Sequence, residues 1–116
     1  MSQKIIFLAD NSDEIRKLVK DFLTKHGHIV RLEAETKKEA LKNIDRVKEE
    51  GINVAIMDKS LGMSFHDGAE IAIALKSIIP GIKLICLSLT GGSGWAHVDV
   101  LKGEKLNNLV EIVTNI

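Results

Sequence analysis

The chain has 116 residues, enough for one domain (1–116) with a sizeable core, and at 45% hydrophobic and 28% charged its composition is that of a soluble globular protein. Sixteen Lys and Arg balance sixteen Asp and Glu, so no global field favours direct nucleic-acid or membrane binding, and no apolar run approaches the roughly 18 residues of a membrane span. No basic–apolar–small leader pattern opens the chain, and the single cysteine, Cys86, has no partner for an internal disulfide, which suits a cytoplasmic location and an inert thiol.

Residues 4–9 form a short apolar run without helical period, the pattern of a strand buried on both faces, and Asp10 ends it. From Ser12, an N-cap residue, Ile15, Leu18, Val19, Phe22 and Leu23 recur at helical spacing until Gly27. A second strand is predicted over 28–33. Thr36 and Glu39 then have capping-box spacing, and Ala40, Leu41, Ile44 and Val47 form the stripe of one helix closed by Gly51. The third strand, 52–57, again ends in an aspartate, Asp58. After a loop to about His66, Ile71, Leu75, Ile78 and Ile79 mark another helix, which Pro80-Gly81 ends before a fourth strand over 82–88. A short strand over 96–101 and a helix over 104–114 complete the chain.

Strict β-α alternation with apolar strands predicts an α/β fold, a doubly wound parallel sheet with helices on both faces. In such sheets the ligand crevice lies at the strand carboxyl ends. Asp10, Asp58 and Ser88 each fall at such an end, and Lys102 follows the last strand.

With Phe7-Leu8-Ala9-Asp10-Asn11-Ser12-Asp13-Glu14-Ile15-Arg16, then Ala55-Ile56-Met57-Asp58 before Asp67-Gly68-Ala69-Glu70, then Leu84-Ile85-Cys86-Leu87-Ser88, nearly the whole chain resembles the response-regulator receiver family. The resemblance implies a five-stranded sheet of order 2-1-3-4-5 and a stand-alone receiver of a two-component phosphorelay. It implies that Asp58 accepts a phosphoryl group as a carboxylate nucleophile, from a histidine kinase or phosphotransfer protein. Asp10, Asp58 and the main-chain oxygen of Ser60 would hold Mg2+, with Asn11 a weak ligand; Lys102 would neutralise phosphoryl oxygens and Ser88 would sense the modified state. Such a module is not itself an enzyme and signals through protein contacts.

The chain departs from that family in several places. Asn11 stands where a second acidic residue is usual, and removes a charge from the metal site. The loop after Asp58 is longer than the family norm and has Gly62 in place of a proline, Leu89 follows Ser88 where a small residue is usual, and Gly103 replaces the proline after Lys102. Only the thirteen residues 89–101 separate Ser88 from Lys102, too few for a full crossover helix and a strand, and Thr90-Gly91-Gly92-Ser93-Gly94 is helix-poor. The family's fourth helix is therefore expected to be reduced or absent, and its aromatic switch position falls on a non-aromatic residue near Asp99. Trp95, in this segment, suits either an exposed anchor or a cover over the gap.

Other functions weigh less. A pseudo-receiver that binds proteins without phosphorylation is the alternative. Flavin or nucleotide binding is disfavoured because 10–14, with three acidic residues, repels phosphate. A cobalamin module lacks its histidine motif. Asp13 and Asp67 read as helix-start residues, Asp13 close enough to assist the acidic cluster, and the four histidines lack metal-ligand spacing and suit solvent-facing or capping roles.

Overall fold

The computed structural model describes residues 3–103 and 105–116. The apolar runs pair as β1 (Ile5–Ala9), β2 (Ile29–Ala34), β3 (Val54–Met57), β4 (Lys83–Ser88) and β5 (Val98–Leu101), in one all-parallel sheet of order β2-β1-β3-β4-β5. Alternating side chains feed two cores. Phe7, Ala9, Ala55, Met57 and Leu84 point to one face, and Ile6, Leu8, Val54, Ile56 and Ile85 to the other.

Helices α1 (Asp13–Lys25) and α5 (Leu106–Asn115) cover the second face through Val19, Leu23, Leu109 and Val113. Ser12 Oγ accepts the Ile15 N–H at 3.2 Å and caps α1. At its other end Gly27, at φ +90°, lets the N–H groups of Gly27 and His28 return to the carbonyls of Thr24 and Leu23, a Schellman turn. The predicted start of the last helix at Glu104 lies outside the described residues.

The first face is covered by α2 (Lys37–Lys42), α3 (Ile44–Glu49) and α4 (Asp67–Ile78). The single helix expected here is thus two short ones. They divide at Asn43, whose backbone leaves helical geometry at φ −101°, ψ 11° while its side-chain amide donates to the Glu39 carbonyl at 2.9 Å, the local competition that makes Asn a poor helix-interior residue. The predicted capping box forms at Thr36 Oγ1, but Glu39 closes on the Glu35 N–H instead of the cap's own.

No helix lies between β4 and β5, as the short spacing predicts. Residues 89–97 form a strap held by side chains. Ser93 Oγ accepts the N–H groups of Trp95 and Ala96, Asp99 Oδ1 accepts the Ser93 N–H at 3.0 Å, and His97 Nδ1 accepts the Leu84 N–H at 3.0 Å, extending the ladder by one residue. Trp95 packs against the first core, so it is the cover over the missing helix. Among the described residues no helix is long and apolar enough to cross a membrane.

One histidine departs from its expected solvent-facing role. His28 is buried: Nδ1 accepts the Lys4 N–H at 3.1 Å and Nε2 bonds Thr114 Oγ1 at 3.0 Å, joining the start of β1 to α5. Burial, reinforced by Lys4 and His26, lowers its pKa and keeps the ring neutral.

Candidate phosphoacceptor site

Because every strand runs the same way, their carboxyl ends meet at one edge, and ladder hydrogen bonds fix the residues that follow. The Asp10 N–H donates to the Ala34 carbonyl, the Asp58 N–H to that of Ala9 at 3.1 Å, and the Lys102 N–H to that of Ser88 at 2.8 Å. Asp10, Asp58, Ser88 and Lys102, far apart in sequence, are thereby gathered.

The centre of the cluster is Lys102. Its Nζ lies 2.6 Å from Asp58 Oδ2 and 2.8 Å from Asp10 Oδ2, and the side chains of Lys102, Asp58 and Asp10 are only 10%, 13% and 1% exposed. Burial works against the ammonium, but its contacts with Asp10 and Asp58 outweigh that and raise its pKa. The two carboxylates differ in support: Asp10 Oδ1 accepts the Ser12 N–H at 2.9 Å, Asp58 Oδ1 that of Ser60 at 3.2 Å. Asp10 Oδ2 has the ion pair but no well-aligned hydrogen bond.

That buried oxygen makes the donor set compatible with a hard divalent cation, which takes oxygen ligands and retains waters. Asp10, Asp58 and the Ser60 carbonyl are the residues that would hold it, and Lys102 would have to yield part of its contact. Among the described residues no three His, Cys, Asp or Glu side chains gather, so only two carboxylates are available. Asn11 is exposed, its amide nitrogen 3.6 Å from where a Cβ on Gly62 would stand. Asp13 does not join the cluster; its exposed carboxylate pairs with Arg16, whose guanidinium also donates to the Asp10 carbonyl.

Ser88 is buried, and its hydroxyl donates to the Thr90 carbonyl, the first turn of the strap. It shares with Asp58, Lys59, Ser60, Phe65, Leu89 and Thr90 the wall of a pocket of about 210 Å³. The Lys59 ammonium donates to the Gly91 carbonyl at 3.1 Å, tying the strap to the residue after Asp58.

Two residues matter more than the sequence suggests. Asp67, read as a dipole-favoured helix start, is fully buried, and its Oδ2 accepts the N–H groups of Leu61, Met63 and Ser64 at 2.9–3.1 Å. It therefore sets the shape of the loop after Asp58. Burial alone would raise its pKa, but the three N–H donors and Lys37 hold it below the ordinary value. Gly68 is the second. A Cβ there would stand 2.5 Å from the Asp58 carbonyl oxygen and 2.7 Å from the Trp95 ring, so only glycine lets α4, the strap and the Asp58 backbone meet. The Asp67-Gly68 pair was the available signal, but burial and close approach are tertiary facts.

The all-parallel sheet of order β2-β1-β3-β4-β5 with its flanking helices has the fold of solved response-regulator receiver domains. No family model matches the sequence, and no curated protein matches it. Solved structures do. A response regulator receiver domain protein (CheY-like) from Methanospirillum hungatei JF-1 superposes with TM-score 0.79 at 24% identity, over 98% of this chain and 93% of that one. A response regulator from Thermotoga maritima gives 0.79 at 21% identity, over 98% and 97%. The BeF3-activated DrrB receiver domain gives 0.79 at 23% identity, over 98% and 97%.

Proposed function

We propose that the chain is a stand-alone receiver of a two-component system, phosphorylated on Asp58 and signalling through protein contacts. The observation that carries this reading is Lys102 Nζ set between the buried carboxylate of Asp10 and the partly buried one of Asp58, at 2.8 and 2.6 Å, with Ser88 on the wall of the Asp58 pocket. In the proposed step an Asp58 carboxylate oxygen attacks the phosphorus of a phosphohistidine on a histidine kinase or phosphotransfer protein. The P–N bond breaks as the new P–O bond forms, and the imidazole leaves with the electron pair. Lys102 turns from the carboxylate to the phosphoryl oxygens it now neutralises, and Ser88 exchanges the Thr90 carbonyl for one of those oxygens, which releases the first turn of the strap. A bound Mg2+ would add positive charge at the developing phosphoryl oxygens.

The alternative is a pseudo-receiver that keeps the fold for binding and is not phosphorylated. It is favoured by Asn11, which stands where a second acidic residue is usual and leaves the site one carboxylate short for a metal. Beryllofluoride with Mg2+ separates the two. The receiver reading predicts a saturable change in Trp95 emission that Asp58→Ala abolishes; a wild-type protein without any response selects the pseudo-receiver.

A further inference from the structure

We propose that a cavity between α1 and α5 is a binding site for a short aliphatic carboxylate. The cavity has a volume of about 100 Å³ and lies within the second core, against β4 and β5. Its deep walls are Val19 of α1, Leu87 of β4, Val100 of β5 and Leu109 of α5, each no more than 4% exposed. Leu18 and Leu101, 53% and 41% exposed, stand at its mouth.

Protein interiors leave few voids larger than a water molecule, so a space of this size against four buried side chains forfeits packing contacts that a guest would restore. The lining offers water little, because its only polar side chains are those of Lys102 and Lys105. Apolar cavities of this kind stay dry and take apolar guests. Since a cavity of roughly 150 Å³ accepts benzene, this one suits an alkyl chain of about four carbons.

The two lysines fix the sign of the head group. Lys102 Nζ is held by Asp10 and Asp58 at 2.8 and 2.6 Å, so its charge is already matched. Lys105 is exposed and, among the described residues, forms no ion pair. It directly precedes α5, whose first turn carries no acidic side chain to compete for it. An anionic head group at Lys105 with its alkyl tail in the cavity satisfies both features, whereas a cationic head group would be repelled. Occupancy needs no phosphoryl group, so the site stands or falls apart from the receiver reading.

The test titrates unmodified protein carrying isotope-labelled methyl groups with butanoate, pentanoate and hexanoate, followed by nuclear magnetic resonance. Saturable shifts should centre on the methyls of Val19, Leu87, Val100 and Leu109. Affinity should rise about fourfold per added methylene until the tail fills the cavity, and saturating ligand should raise Tm. Lys105→Met should weaken pentanoate severalfold and leave 1-pentanol unchanged. Leu106→Trp, which enlarges a lining side chain, should abolish both; if that variant does not fold, Lys105→Met decides alone. Shifts that are linear in ligand or scattered over the surface would overturn the site. Equal pentanoate affinity in Lys105→Met would overturn the carboxylate assignment. Lining methyls that broaden with protein concentration and ignore ligand would show a second copy in the groove, which also overturns it.

Discussion

Replacing Gly68 by alanine opposes a local preference to a tertiary constraint. Gly68 lies in the first turn of α4, where alanine should gain up to about 1 kcal/mol in helix propensity. The structure predicts the opposite sign. The added Cβ would stand 2.5 Å from the Asp58 carbonyl oxygen, 2.7 Å from the Trp95 Cζ2 and 3.1 Å from the Lys59 Cα, against a comfortable separation of about 3.5–4.0 Å for carbon contacts. Two of these neighbours are backbone and the third is a ring packed against the first core, so none can retreat cheaply. Overpacking of this kind costs about 1–3 kcal/mol, and with rigid neighbours the upper end applies, leaving a net loss of about 2 kcal/mol. For a domain of this size that lowers Tm by roughly 6–10 °C. Urea and thermal unfolding of Gly68→Ala, Trp95→Leu and the double variant measure it. Because removing the ring relieves part of the overlap, the double variant should lose less stability than the two single losses added together. A Gly68→Ala protein as stable as wild type, or fully additive losses, would refute the close packing of α4, strap and Asp58.

Asp67→Ala should cost about 3 kcal/mol or more, since it strips the acceptor from three N–H groups; denaturant titration measures it. Because the folded-state pKa of Asp67 lies below the ordinary 3.8, its contribution is present above that pH and lost as pH falls through the folded value, so wild type and variant should converge in strong acid. His28 acts in a different window: its folded pKa lies below the ordinary 6.5, so the unfolded chain takes up the proton first and stability falls as pH drops below 6.5. Thermal unfolding between pH 7.5 and 5 should show a shallower decline for His28→Gln, and equal slopes would remove His28 from the account. Asn11→Asp should bind Mg2+ more tightly than wild type in a calorimetric titration, and equal affinity would place Asn11 outside the coordination sphere.

The doubly wound parallel sheet was legible because apolar runs ending in Asp10, Asp58 and Ser88 suit strands buried on both faces, whereas its strand order came only from the resemblance to the receiver family. The missing helix was legible from chain length, because residues 89–101 cannot hold both a crossover helix and a strand. The break at Asn43 was not, since the apolar stripe runs through it and only the side-chain hydrogen bond to Glu39 interrupts the helix. Nor was the burial of His28, which depends on Thr114, at the far end of the chain. At the site, the strand-end positions of four residues could be read, but not that Lys102 touches both carboxylates. Asp67 looked like an ordinary helix start because what it does, accepting three N–H groups from its own loop, is fixed by loop geometry that no spacing encodes.

The central claim is that Asp58 carries a phosphoryl group, and intact mass spectrometry with peptide mapping tests it most directly. Wild type, Asp58→Ala and Lys102→Ala are incubated with acetyl phosphate and Mg2+. The account predicts one added phosphoryl group on wild type, mapped to Asp58, none on Asp58→Ala, and slower uptake by Lys102→Ala. Equal modification of wild type and Asp58→Ala, or none on wild type under conditions that load an authentic receiver, would contradict it.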